Sequence, residues 1–163
     1  MLKRAFAPVA DDQTRVLVLG SLPGDASLKA EQYYAHPQNG FWRLIGDVIG
    51  REIAALPYLE RLAALTVAGI GLWDVIASAE RPGSLDAAIR CPQAADLQGL
   101  VAALPALRAV AFNGATAAKG GRRALGDLGG LTLIDLPSSS PAYTRPLSEK
   151  AESWTRIAPF LRD

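Results

Sequence analysis

One cysteine, Cys91, and one histidine, His36, stand among the 163 residues of this chain. A single thiol closes no internal disulfide and offers no cysteine-based metal site. Charge of one sign is also missing: 17 basic against 16 acidic residues leave a formal net charge of +1. No basic field therefore covers the whole molecule, and any contact with nucleic acid must rest on a local patch. No apolar run approaches the length of a membrane span. The apolar part of the opening Met1–Pro8 segment is too short for a secretion signal. A cytoplasmic enzyme or binding domain with no membrane partner is the expectation. What is present is half apolar, with 15 glycines and 11 prolines. That is enough to bury a real core, in a loop-rich globular chain and not a disordered one. The length predicts one domain, residues 1–163, with residues 1–14 as an N-terminal arm.

The chain is organised around residues 17–42. The apolar run Arg15–Leu19 reads as a buried strand, broken by Gly20-Ser21-Leu22-Pro23-Gly24. A polar stretch with Tyr33 and Tyr34 follows, and Ala35-His36-Pro37-Gln38-Asn39-Gly40-Phe41-Trp42 opens a helix. Its start is Asn39 or Gly40 and its end Ile49, with Phe41, Leu44, Ile45 and Val48 on one face. Beyond it the pattern predicts a helix over 57–65, a strand over 67–73 and a loop over 78–91 that ends in a short helical piece. A helix over 94–104, a strand over 108–112, an alanine-rich helix over 114–125 and a strand over 131–136 come next. A Ser/Pro loop over 137–146 leads to a closing helix over 148–161. The βα alternation predicts a three-layer α/β/α domain with a central four-stranded parallel sheet. Ligands of open α/β sheets bind at the carboxyl ends of the strands, so the loop after the first strand is the leading site candidate.

Read by themselves, the residues of these loops have two meanings each. Asn39 can cap the following helix, or its amide can hold a water through the carbonyl oxygen and a ligand through the NH₂. Tyr33 and Tyr34 are core or surface tyrosines, or walls of a binding pocket. His36, in Ala-His-Pro, fixes its loop by hydrogen bonding. Asn113-Gly114 caps a helix or supports a site wall. Ser138-Ser139-Ser140-Pro141-Ala142-Tyr143 is a plain turn, or a set of hydroxyls and N–H groups suited to phosphate. Lys119, Arg122 and Arg123 are a solvated helix end or a small basic patch. Ser21 does not sit in a Gly-x-Ser-x-Gly nucleophile elbow, and His36 lies on the same loop, so a serine hydrolase is a poor fit.

The first loop resembles motif one of the uracil-DNA glycosylase superfamily. Gly20–Gly24 stands where the mismatch-specific uracil/thymine branch has Gly-x-Asn-Pro-Gly, and the distance to Ala35–Trp42 is that branch's distance. The match is closer to the hypoxanthine-DNA glycosylase (DNA-deoxyinosine glycosylase) branch, through Gly-Ser-x-Pro, through Tyr33-Tyr34-Ala35-His36-Pro37-Gln38-Asn39, and through Gly69-Ile70-Gly71-Leu72-Trp73-Asp74. The segment Leu136–Arg145 resembles the superfamily's second motif, His-Pro-Ser-Pro-Leu-Ser.

That resemblance implies a monofunctional, cofactor-free and metal-free enzyme of base excision repair. It would evert a deaminated base from double-stranded DNA, most simply hypoxanthine, and hydrolyse its N-glycosidic bond. Asn39 then places the attacking water. Ser21, Leu22, Tyr34, Asn113 and Ser138 surround the base, with Tyr34 stacked on it. Gly24, Ser139, Ser140, Pro141, Ala142, Tyr143 and Arg145 meet the DNA, Tyr143 as the wedge and Arg145 on a phosphate. Two departures bear on the base. Leu22 occupies the place of the polar residue of the uracil branches, and Ser138 the place of their histidine, and both weigh against uracil. A uracil or mismatch glycosylase of the same superfamily and a non-catalytic DNA-binding module are the alternatives. A monomer is expected.

Overall fold

The computed structural model describes residues 2–162. Four strands form a parallel sheet: β2 (Val16–Gly20), β3 (Ile70–Asp74), β6 (Ala109–Asn113) and β7 (Thr132–Leu136), in the spatial order β3-β2-β6-β7. The three strands β2, β3 and β6 are near-continuous apolar runs because both faces are covered, whereas the edge strand β7 exposes Thr132 and Asp135. Val16, Val18, Leu72, Ala109, Ala111 and Ile134 face one layer, which holds α2 (Phe41–Ile49), α3 (Tyr58–Ala68) and α6 (Leu147–Trp154). Leu17, Leu19, Val110 and Phe112 face the other, with α4 (Leu97–Ala102) and α5 (Ala115–Leu125). The predicted three-layer architecture and the four strands of its parallel sheet are those of the structure.

A second sheet, absent from the sequence reading, is antiparallel in the order β1-β4-β5. Its strands are β1 (Leu2–Arg4), β4 (Ile76–Glu80) and β5 (Arg90–Ala94). Residues 2–14 are thus not a loose arm: Leu2–Arg4 pair with Ser78–Glu80, and Val9 bridges Leu72. Of the stretch expected to be a loop over 78–91 ending in a short helical piece, residues 81–89 are the connection of a hairpin, with a 3₁₀ turn at Asp86–Ala88 near its end, and the two ends belong to strands β4 and β5. A short helix, α1 (Asp25–Ala30), was also not foreseen. The closing helix is α only to Trp154 and continues as a 3₁₀ segment, Thr155–Leu161, that carries Pro159. Proline lacks the N–H that an α-turn would use.

The strand order reverses about β2. β3 lies on one side of it and β6 on the other, so the loops after β2 and β6 diverge and leave a crevice above the strand ends. Gly20, Asp74 and Asn113 end β2, β3 and β6 and all reach that crevice.

Candidate active site

A cleft of about 420 Å³ opens at this point, large enough for a nucleobase. Its floor is made of the strand ends. One wall is the loop from Ser21 to Asn39, another is the serine loop from Ser138 to Tyr143, and the third is the tip of the β4–β5 hairpin at Ser84, Leu85 and Asp86. The lining includes Ser21, Leu22, Gly24, Tyr34, Asn39 and Asn113. It also includes Ser138, Ser139, Ser140, Pro141, Ala142 and Tyr143. Of the residues predicted for the site, only Arg145 lies outside it, in an adjoining depression shared with Arg43 and Lys150.

Asn39 takes the helix-entry role open to it in the sequence and also lines the cleft. Its Oδ1 accepts the Phe41 N–H at 3.0 Å, which fixes the entry to α2. The amide lines the cleft and is half-buried. A carbonyl oxygen has two lone pairs, so one remains for a water. His36 is exposed, and its Nδ1 accepts the Gln38 N–H at 3.1 Å, the loop-fixing role expected of it.

Tyr34 adopts a left-handed backbone conformation, φ 53°, at the turn that aims its ring into the cleft. Phe41 covers one ring face at a centroid distance of 4.0 Å and 15° between planes. The pair makes a rigid aromatic shelf. The Tyr34 hydroxyl is buried and has no hydrogen-bond partner among the described residues. Burial pushes its pKa up, the nearby Asp74 adds to this, and the Asn113 amide opposes it.

The serine loop is tied to the sheet. Asn113 Oδ1 accepts the Ser139 N–H at 2.9 Å, and Asn113 Nδ2 donates to Ser139 Oγ at 2.9 Å. Both residues are buried. Asn113 therefore supports the wall. Ser139, predicted to meet DNA, instead spends its hydroxyl and N–H inside the protein, because the loop turns its second serine toward the strand end. Ser138 Oγ accepts the Ser140 N–H at 3.1 Å, and Ser140 Oγ accepts the Ala142 N–H at 3.2 Å. These bonds shape the tip that presents Tyr143, 40% exposed, to solvent. Arg145 and Lys150 flank its ring at 5.8 and 5.4 Å. Leu22 is buried against Ile76 and Ala79, so its side chain braces the loop while the residue lines the cleft. Gly24 starts α1, and Ser21 Oγ donates to Asp86 Oδ1 at 2.7 Å across to the hairpin.

Three residues gain roles that sequence reading did not give them. Asp74 is 4% exposed at the end of β3 and lines the cleft. Its pKa is pushed up to about 7 by burial first and by Asp86 second, against the pull of Arg81. Arg81 is fully buried; it holds the hairpin to the first loop by donating to the Pro23 carbonyl and braces the hairpin's own turn by donating to the Gly83 carbonyl. Lys150 is buried on α6 and donates to the Ser140 carbonyl at 3.1 Å, and burial lowers its pKa. Asp74 was marked in the sequence by the Gly69–Asp74 segment but without a chemical step. Nothing in the local pattern of Arg81 or Lys150 signals burial. Lys119, Arg122 and Arg123 do not line the cleft, and Arg122 pairs with Asp135 at 3.0 Å. Among the described residues, no group of His, Cys, Asp and Glu is placed to hold a metal ion, and no helix is long and apolar enough to cross a membrane.

A family model described as the uracil DNA glycosylase superfamily matches residues 7–162. A protein of Methanosarcina acetivorans named hypoxanthine DNA glycosylase is 40% identical over 157 residues, which is 96% of this chain and 98% of that one. A protein of the same name from Methanosarcina barkeri is 41% identical over 154 residues, 94% of this chain and 96% of that one. Among solved structures, a solution NMR structure of a candidate uracil DNA glycosylase from Methanosarcina acetivorans superposes with a TM-score of 0.86 at 38% identity, covering 99% of each chain.

Proposed function

The chain belongs to the uracil DNA glycosylase superfamily, and from that premise we propose that it hydrolyses the N-glycosidic bond of hypoxanthine in DNA. The observation that carries this reading is the meeting of Asn39, the Tyr34–Phe41 shelf and the serine loop around one base-sized cleft. A base inside a duplex cannot be reached, so it must be everted and laid against a ring. Tyr34 provides that ring, already stiffened from behind by Phe41. Leu22, Ser138 and the Ser21 backbone enclose the base, and Asn113 holds the wall behind them. The transition state is oxocarbenium-like at the sugar, and the free lone pair of Asn39 Oδ1 places a water beside the anomeric carbon. Asn39 is neutral, so it orients the water and does not strongly deprotonate it. Among the described residues no lysine lines the cleft, so hydrolysis is direct and leaves an abasic site, without a Schiff base. Tyr143 and Ala142 enter the gap left by the base, and Ser140, Pro141 and Gly24 approach the strand. Arg145 and Arg43 neutralise phosphates there, a local patch on a near-neutral chain. The protein acts as a monomer.

A uracil-excising reading is disfavoured by an apolar, buried Leu22 and by Ser138 in place of a histidine donor. The test is a single-turnover assay on end-labelled duplexes that carry one deoxyinosine, uracil or xanthine, followed by hot alkali. Alkali-dependent cleavage at deoxyinosine is expected. In Asn39→Ala it should fall by roughly two to three orders of magnitude, the size of effect seen when one group preorganised at a transition state is removed, with DNA binding nearly intact. Cleavage at uracil alone would reject the hypoxanthine assignment, and unchanged excision by Asn39→Ala would remove Asn39 from the chemistry.

A further inference from the structure

Hydrolysis as described above leaves one group of the cleft without a task. Asp74 ends β3 with its carboxyl in the floor, and Oδ2 is sealed from solvent with no hydrogen-bond partner among the described residues. The Tyr34 hydroxyl is in the same condition. Between them lies Gly20. A Cβ there would stand 2.7 Å from Asp74 Oδ1 and 3.0 Å from Tyr34 Oη, so the absence of a side chain is what lets these two groups share the floor. Buried polar groups are almost always bonded, and an unbonded one marks a place where something else completes the bond. Two of them side by side in a base-sized cleft mark the place of a ligand edge with polar atoms.

We propose that Asp74 grips the pairing edge of the everted base as a carboxylic acid, donating its hydroxyl to the ring carbonyl oxygen and accepting the adjacent ring N–H on its own carbonyl oxygen. This rests on the glycosylase reading above. Hypoxanthine carries C6=O and N1–H side by side, an acceptor next to a donor. A carboxylic acid is the complementary pair, whereas a carboxylate has two acceptors and repels the ring oxygen. The surroundings favour the neutral form. Asp86 on the hairpin tip faces Asp74 with like charge, burial strips its solvation, and Tyr33 and Tyr34 on the first loop are neutral. Arg81, buried at the end of β4, acts the other way. His36, exposed at the rim, and Tyr143, on the serine loop, are the other titratable side chains in the lining. The Tyr34 hydroxyl, free to donate, is a second contact for the same ring oxygen.

The experiment is the pH dependence of single-turnover excision of deoxyinosine at saturating enzyme, pH 6 to 8, for wild type, Asp74→Asn and Asp74→Ala. With the carboxyl at about 7 the neutral fraction falls about tenfold over this range, and the wild-type rate falls with it. Asparagine offers a donor beside an acceptor and does not titrate. Asp74→Asn is therefore expected to show a rate flat with pH, and Asp74→Ala a rate reduced at every pH. Asp74→Asn profiles parallel to wild type, or an Asn variant as impaired as the Ala variant at every pH, would overturn the proposal. Should neither variant fold, calorimetric binding of free hypoxanthine to wild type decides: affinity should weaken about tenfold from pH 6 to 8, and constant affinity refutes it. If wild type itself leaves no alkali-labile site at deoxyinosine, the glycosylase reading fails and this one with it. If wild type excises and the variants track it, only the role of Asp74 fails.

Discussion

Replacing Asn113 by alanine removes two hydrogen bonds from one neighbour. Ser139 then keeps a buried N–H and a buried hydroxyl with no partner from the sheet, 2% exposed in the folded protein. A buried group left unsatisfied costs about 1–3 kcal/mol. The hydroxyl can turn, so the sum is about 2–4 kcal/mol. In a domain of this size each kcal/mol lowers Tm by about 2–4 °C, which gives roughly 5–15 °C for Asn113→Ala. Ser139→Ala strands only the Asn113 amide and should cost about 1–2 kcal/mol. With both changes made, the hydroxyl and amide no longer strand each other. The double variant is therefore expected to be more stable than the sum of the two singles predicts, by about 1 kcal/mol. Thermal and urea unfolding of the four proteins at one pH together read these quantities. A Tm shift under about 2 °C for Asn113→Ala, or a strictly additive cycle, would refute the view that this pair clamps the serine loop. Excision by Asn113→Ala should also fall, because the loop tip that carries Tyr143 then hangs from one fewer anchor.

Lys150→Met keeps the packing of the stem but releases the Ser140 carbonyl. Excision from duplex is expected to drop about tenfold, the effect of losing a bond to a charged group of about 1.5 kcal/mol, with a smaller change on single-stranded substrate; an equal drop on both would argue against a role in holding the wedge. Asp74 also makes stability depend on pH. Its folded carboxyl sits near 7 against an ordinary value of 3.8, so the folded chain binds the proton more tightly than the unfolded one. Stability is then intact below about pH 4 and lost as the pH rises toward 7, by on the order of 4 kcal/mol. Asp74→Asn should abolish this slope, so urea titrations at pH 4.5, 6 and 8 should show the variant gaining on wild type as the pH rises; parallel curves would contradict the raised carboxyl.

The parallel sheet was legible because three of its strands, β2, β3 and β6, are apolar on both faces. Runs such as Val16–Leu19 and Ala109–Phe112 can be little else when glycine and asparagine end them. The antiparallel sheet was not legible. β5 reads Arg-Cys-Pro-Gln-Ala, every residue exposed, and it is a strand only because β4 pairs with it. Such a strand has no hydrophobic period to find. The candidate site divides in the same way. Asn39, Tyr34 and the serine loop stand in motifs and could be picked out together. Asp74 needed the structure, because its chemistry comes from burial and from Asp86 and Arg81 brought in by the hairpin. Asn113 was seen, but its partner Ser139 was assigned outward, since three consecutive serines give no hint of which one turns in.

The margins of the two sheets carry a further consequence. Open strand edges invite pairing with other chains and hence aggregation. Here Val9 occupies part of the outer edge of β3 with reciprocal backbone bonds to Leu72, 2.9 and 2.8 Å. Arg156 bonds the Asp135 carbonyl of β7. β5 has Pro92 within it and irregular register against β4. A proline has no N–H to offer a newcomer, and an irregular ladder gives it no straight template. A protein with little net charge gets only weak help from mutual repulsion in staying dispersed. These three margins supply a colloidal defence of another kind, by refusing strand addition.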